Sequence, residues 1–385
     1  MRASIVISAL VAVLVGFGGS VAIILAAAKA VGATPDQTSS WVAALCLSMM
    51  ATTAILSIYH RLPIVTAWST PGAALIATSS GINMETAVGA FFLAGGLILV
   101  TALFRPLSML IERIPGSIAS AMLAGVLFSF VIAVFGHVQH SPALVLPILL
   151  TFAILRPYSP AWAVILVLAA GIALAYALGL TEPLGDIRVS SFVWVSPTFD
   201  VAALVGIGLP LYLVTMASQN LPGFAVLRAA GYTAPTQSIL AVTGLASLLT
   251  AGLTAHTSNL AAITASICTG AEAHPDKDKR WLCGPVYALG YGILAVFGAS
   301  LVTVFASFPE TLIVTIAGVA LIGPFINALQ AGLEDENQRF AATTTFLVTA
   351  SGVDAFGIGS AFWGLVAGLA VVLLEGISVK RQRRA

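Results

Sequence analysis

The chain reads as long apolar runs separated by isolated charges. Between successive Asp, Glu, Lys or Arg residues lie the runs 3–28, 37–60, 62–84, 86–104, 114–155, 157–181, 201–227, 229–271, 281–309, 311–333, 340–353 and 355–374. A bilayer core about 30 Å thick needs about 20 apolar residues per helix, so most of these runs predict one span each. Two of them, 114–155 and 229–271, are long enough for two spans. His137, His140 and Pro142 break the first, and Gly252 through Asn259 break the second. Fourteen segments result. The short run 340–353 predicts a helix starting near Asn337 that brings Asp354 close to its end.

Composition sharpens this picture. Of 385 residues, 59% are hydrophobic and 8% charged, against about 25% charged in soluble domains. A cytosolic enzyme, a disulfide scaffold and a disordered chain are all excluded. Lys plus Arg (16) against Asp plus Glu (15) leaves a net charge of +1, so no basic field exists to hold nucleic acid. Cys46, Cys268 and Cys283 are scattered among apolar residues as small buried hydrophobes. No Walker motif, no HExxH and no serine–base pair occurs, which argues against ATP drive, a metal and an enzyme; no cofactor is implied. Arg2 before an apolar stretch resembles a signal peptide. The length of that stretch and the span after it predict a retained helix instead.

An even number of spans puts both termini on one side, and the tail Lys380–Arg384 marks that side as cytoplasmic. Threading the chain from there leaves only Lys29 and Arg188 of the sixteen Lys and Arg outside. The polar stretch Thr181–Thr198 lies near the midpoint and separates seven spans from seven. The expected organisation is therefore a first repeat over 1–180, a linker over 181–198 and a second repeat over 199–380. Seven spans per half insert with opposite orientations, the arrangement of inverted-repeat transporters.

The third and tenth segments are not ordinary helices. Pro63, Ile64, Val65, Thr66 and Trp68 favour an extended strand of about six residues. Ser69 or Thr70 before Pro71 then reads as a helix cap with proline in the first turn, followed by Gly72. Three segments into the second half, Gly252 to Asn259 precedes a short apolar helix with Ser258 or Asn259 as its cap. The two helix starts are expected to face each other near mid-membrane, where free N–H groups and positive dipole ends suit an anion. In the eighth segment Gln219 and Asn220 follow a long apolar run. They mark either a helix end or a donor beside the two half-helices.

Thr66–Ala74, Thr215–Asn220 with Pro222-Gly223, Asn259–Ala265 and Glu272–Asp276 resemble the benzoate/proton symporter (BenE) family, and the likeness covers essentially the whole chain. The resemblance implies the uracil-permease-like fold: an all-α polytopic membrane protein with fourteen helices in a seven-plus-seven inverted repeat. Core and gate domains are each drawn from both repeats, and short strands precede the third and tenth helices. It also implies an importer of benzoate or a related aromatic carboxylate together with a proton. The location would be the bacterial inner membrane, and a homodimer is allowed. Nucleobase permeases of that fold carry glutamates where Gln219 and Ser258-Asn259 stand here. A neutral, donor-rich site suits an anionic substrate, and the same change leaves the proton carrier unassigned.

The substrate-site candidates are thus Trp68, Ser69, Thr70, Gly72, Gln219, Asn220, Ser258 and Asn259. His256 lies away from a membrane edge and is either a satisfied polar residue or a proton group, since its titration range suits coupling. Asp354 is a second proton candidate, although a helix-end position also fits a membrane interface. Trp68 either anchors packing or stacks on an aromatic ring. An anion channel or uniporter remains the competing function.

Overall fold

A computed structural model describes residues 2–18, 20–79, 81–104, 115–158, 160–183, 188–353, 355 and 360–382. The first half contains α1 (Ala3–Gly18), α2 (Val21–Ala30), α3 (Pro35–His60), β1 (Thr66–Trp68), α4 (Thr70–Ala77) and α5 (Met84–Leu103), then α6 (Gly116–Val138), α7 (Pro142–Leu155) and α8 (Pro160–Ala177). The second half contains α9 (Val201–Arg228), α10 (Thr236–Ala251), β2 (Ser258–Leu260), α11 (Ile263–Thr269) and α12 (Cys283–Val296). It ends with α13 (Gly298–Ala306), α14 (Glu310–Leu333), α15 (Arg339–Ala350) and α16 (Ser360–Gln382). Among the described residues six helices are long and apolar enough to cross a bilayer. A seventh crossing would be the bent pair of α12 and α13, which turns by 64°.

Local chemistry sets several of these boundaries. Thr34 and Gln37 form a reciprocal capping box at the start of α3, with Pro35 in its first turn. Asn83 caps α5 through the Thr86 N–H at 3.0 Å, and Asp200 caps α9 through the Ala203 N–H at 2.9 Å. Arg61 (φ 50°) and Thr254 (φ 72°) are the described non-glycine residues in left-handed backbone. They stand at the matching turns that lead into the third and tenth segments.

β1 and β2 pair antiparallel, with Thr66 opposite Leu260, Ala67 opposite Asn259 and Trp68 opposite Ser258. Two flanking bonds lengthen the ribbon: Ser69 N–H to the Thr257 carbonyl and Ala261 N–H to the Val65 carbonyl, both 3.0 Å. Each strand is three residues long, shorter than the six that the Pro63–Trp68 composition suggests. The expected cap at Ser258 or Asn259 is also corrected. Both residues are committed to the ladder, so α11 starts only at Ile263, after Ala262. The paired ribbon therefore lies between the two helix starts.

The helices pack in a repeating scheme. α6 lies on α14, α5 on α10, α3 on α12, α7 on α8, and α15 on α16. Small residues permit the closest approaches, as expected where lipid offers no hydrophobic drive for association. An exposed ion pair, Lys29 Nζ to Glu310 Oε1 at 2.5 Å, joins the end of α2 to the start of α14. Such a pair contributes at most about 1 kcal/mol.

Candidate functional site

A two-stranded ribbon has two open edges, and backbone groups left bare in a membrane interior cost several kcal/mol each. In this protein, side chains fill those edges. Thr53 Oγ1 accepts the Thr66 N–H at 3.0 Å, and the Tyr287 hydroxyl donates to the Thr66 carbonyl at 2.9 Å. On the other strand Ser247 Oγ accepts the Ser258 N–H at 2.9 Å, and Asn220 Oδ1 accepts the Leu260 N–H at 2.9 Å. Asn259 turns its own Nδ2 onto the Leu260 carbonyl at 2.9 Å. Hydroxyl pairs complete the frame: Ser48 with Ser258 at 2.7 Å, and Thr66 with Thr52 at 2.6 Å and Thr53 at 2.8 Å.

This arrangement sorts the sequence candidates. Ser69 is the cap of α4; its Oγ accepts the Gly72 N–H at 3.1 Å and the Thr215 hydroxyl at 3.0 Å. Thr215 in turn meets Thr257 at 2.8 Å, so α4, α9 and β2 are tied at one point. Gly72 is needed there because a Cβ would lie 2.8 Å from Ser69 Oγ. Trp68 is buried, donates its indole N–H to Ser20 Oγ at 2.8 Å, and packs edge-on against Phe17 and Tyr291. Asn220, Ser258 and Asn259 are fully buried. Thr70 and Gln219 differ: both are half-buried and keep accessible surface.

Gln219 and Asn220 belong to a π-helical turn, Met216–Asn220, the second in α9 after Leu204–Gly208. A π turn inserts one residue into the helical register and shifts the side chains after it, and such turns often occur at functional sites. One residue of the pair thus ties down the ribbon while its neighbour stays accessible.

His256 sits at the centre of a separate contact. The Trp41 indole N–H donates to its Nδ1 at 3.0 Å, and its Nε2 lies 3.0 Å from the Ser69 carbonyl. An indole only donates and a carbonyl only accepts, so the ring is neutral with its proton on Nε2. Asp354 lies outside the described residues. Among the described residues no group of three His, Cys, Asp or Glu side chains could hold a metal.

Thr53, Tyr287, Ser247, Thr215, Thr257 and Trp41 carry much of this frame and were not among the sequence candidates. A signal for part of it exists. Ser48 and Thr52 repeat at i, i+4 among the apolar residues of the middle of α3, with Thr53 beside them, a hydroxyl stripe that a lipid-facing helix surface would not carry.

Residues 1–374 match the family described as Benzoate membrane transport protein. The chain belongs to that family. It is 34% identical over 368 residues to the benzoate membrane transport protein of Acinetobacter baylyi, covering 95% of this chain and 93% of that one. It is 38% identical over 380 residues to the inner membrane protein YdcO of Escherichia coli, covering 97% and 96%. Among solved structures, the transmembrane domain of the cyanobacterial bicarbonate transporter BicA aligns with a TM-score of 0.66 at 12% identity, over 95% of this chain and 97% of that one. SLC26A9 aligns at 0.64 and 12% identity, over 96% of this chain and 65% of that one. At such identities the likeness concerns the fold. The protein is a mostly helical, multi-pass membrane transporter of this fold and not an enzyme.

Proposed function

We propose that this protein imports benzoate or a related aromatic carboxylate together with a proton across the bacterial inner membrane. The observation that carries the reading is a buried polar ribbon whose described surroundings hold no carboxylate, in a chain of the benzoate membrane transport family. A glutamate there would repel a carboxylate arriving from water, and the neutral side chains of the ribbon do not. Moving that anion into a negative interior costs about 2.3 kcal/mol per 100 mV, and one co-transported proton cancels the charge.

The proposed architecture has fourteen spans with both termini cytoplasmic, residues 1–180 and 199–380 being inverted repeats. Packing supports it. Exchanging each span for its counterpart seven positions away turns the α5–α10 contact, fourth on ninth, into the α12–α3 contact, eleventh on second. It likewise turns α7–α8 into α15–α16. In this reading β1–α4 and β2–α11 are the broken third and tenth spans. The ribbon belongs to a core domain, and α6, α7, α8, α14, α15 and α16 form the gate. α4 and the Met216–Asn220 turn both touch α6, so Thr70 and Gln219 stand where core meets gate. They are the proposed polar contacts to substrate. Ser69, Gly72, Asn220, Ser258 and Trp68 shape the site from behind.

Proteoliposomes containing the protein should accumulate radiolabelled benzoate when the outside is acidified, and a protonophore should abolish the accumulation. Benzoate flux that equilibrates without accumulating under a pH gradient would instead favour a channel or uniporter, which the missing carboxylates also fit.

A further inference from the structure

One polar atom of the ribbon is left over. Asn259 Oδ1 is buried and makes no hydrogen bond. Its orientation is fixed, because the Leu260 carbonyl only accepts and therefore takes the amide Nδ2. A buried acceptor without a donor is uncommon and calls for a partner. Asn259 stands directly opposite Ala67, so both side chains project from the same ribbon face. Of the six strand residues Ala67 alone is not buried. The unpartnered oxygen thus lies on the ribbon face that carries the half-exposed Ala67.

Among the described residues around the ribbon, no side chain stands free to carry a proton; the Tyr287 hydroxyl, on α12, is given to the Thr66 carbonyl. β1 and α10, which pack on β2, hold no titratable side chain. α9 brings Tyr212, whose hydroxyl is engaged by Thr101, and Arg228 at its end. α3 brings Cys46, with Asp36, Tyr59 and His60 at its ends. On the segment of Asn259 itself, both His256 nitrogens are engaged. A bare acceptor calls for a ligand that donates, and a carboxylate anion cannot.

We infer that the substrate binds with its proton on, as the neutral carboxylic acid, its O–H donating to Asn259 Oδ1. This rests on the proposed transport of an aromatic carboxylate and names the proton carrier within it. The carboxyl oxygen loses no bond and no residue titrates: the proton enters and leaves as part of the substrate. Binding a neutral acid also avoids placing an unpaired charge in a low-dielectric interior.

The test is binding to the purified protein, by calorimetry across a range of pH, with 4-nitrobenzoate, benzoate and 4-methoxybenzoate, in falling order of acidity. The pH at which apparent affinity begins to fall should move with the acidity of each ligand, and affinity should then drop about tenfold per pH unit. Benzamide, which donates an N–H from the same position and does not titrate, should compete at a pH-independent affinity. Benzenesulfonate, an anion without a proton at these pH values, should not compete. A midpoint common to all three acids would place the proton on the protein, with Asp354 or His256 the next candidates, and would overturn the inference. Competition by benzenesulfonate but not by benzamide would overturn it equally. Failure of every benzoate to bind at any pH would instead remove the transport reading beneath it. A monodisperse Asn259→Leu protein should lose about tenfold or more in affinity for benzamide and for benzoate at acid pH. Unchanged affinity for both would exclude Asn259, and if this variant does not fold, the wild-type ligand series still decides.

Discussion

Replacing Gln219 by Ala should weaken benzoate binding about 5- to 150-fold and leave the melting temperature of the purified protein unchanged, whereas replacing its neighbour Asn220 by Ala should lower the melting temperature first. Gln219 keeps accessible surface where the π turn faces α6. Truncating an amide that donates to a bound neutral carboxyl group leaves a buried ligand oxygen unpaired, at a cost of about 1–3 kcal/mol. Truncating it bares no backbone group of the protein. Asn220 is fully buried, and its Oδ1 is the acceptor for the Leu260 N–H. Removing it leaves that donor bare inside the protein at a cost of about 1–3 kcal/mol. Thermal unfolding in detergent and calorimetric titration with benzoate separate the two outcomes. A Gln219→Ala protein of normal affinity would take Gln219 out of the site. An Asn220→Ala protein of normal melting temperature would mean that the Leu260 N–H has another partner.

The contrast between these neighbours also marks how far the sequence could be read. Apolar runs and charge placement are one-dimensional signals, and they located the helices because a bilayer imposes a length and a polarity on every segment. The strand at Thr66–Trp68 was legible from β-branched residues next to a proline-initiated helix, although the ladder ends sooner than composition suggests. The strand at Ser258–Leu260 was visible only through the family resemblance. Its Ser and Asn carry no strand preference of their own, and the same residue types favour caps. Pairing with β1 decides the matter, which is a tertiary effect. Side-chain roles were harder for the same reason. Asn220, Ser258 and Asn259 are polar residues in an apolar segment, and a ligand site and a ribbon edge both demand such residues. Only the distances to Leu260 and Ser247 separate the two demands.

Glycine placement leads to the second large effect. Exchanging Gly223 for Ala should destabilise the protein by about 1–3 kcal/mol and also lower transport, while exchanging Gly323 for Ala should be close to neutral. A Cβ at Gly223 would lie 2.7 Å from Leu260 Cγ and 2.8 Å from the Ala261 carbonyl oxygen. The side chain of Leu260 can rotate away. The Ala261 carbonyl belongs to a residue whose N–H is bonded to Val65, so it moves only if the ribbon moves. The strain then falls on α9, which must withdraw from β2 and stretch the bond from Leu260 N–H to Asn220 Oδ1. Gly323 lies in α14, and a Cβ there meets nothing within 4 Å. Alanine adds no clash at that position and gains up to about 1 kcal/mol of helix preference. Measuring melting temperature and benzoate uptake for both variants tests the contact itself, because the chemical change is identical. Equal behaviour of the two proteins would mean that α9 does not bear on the ribbon as closely as the Gly223–Ala261 approach requires.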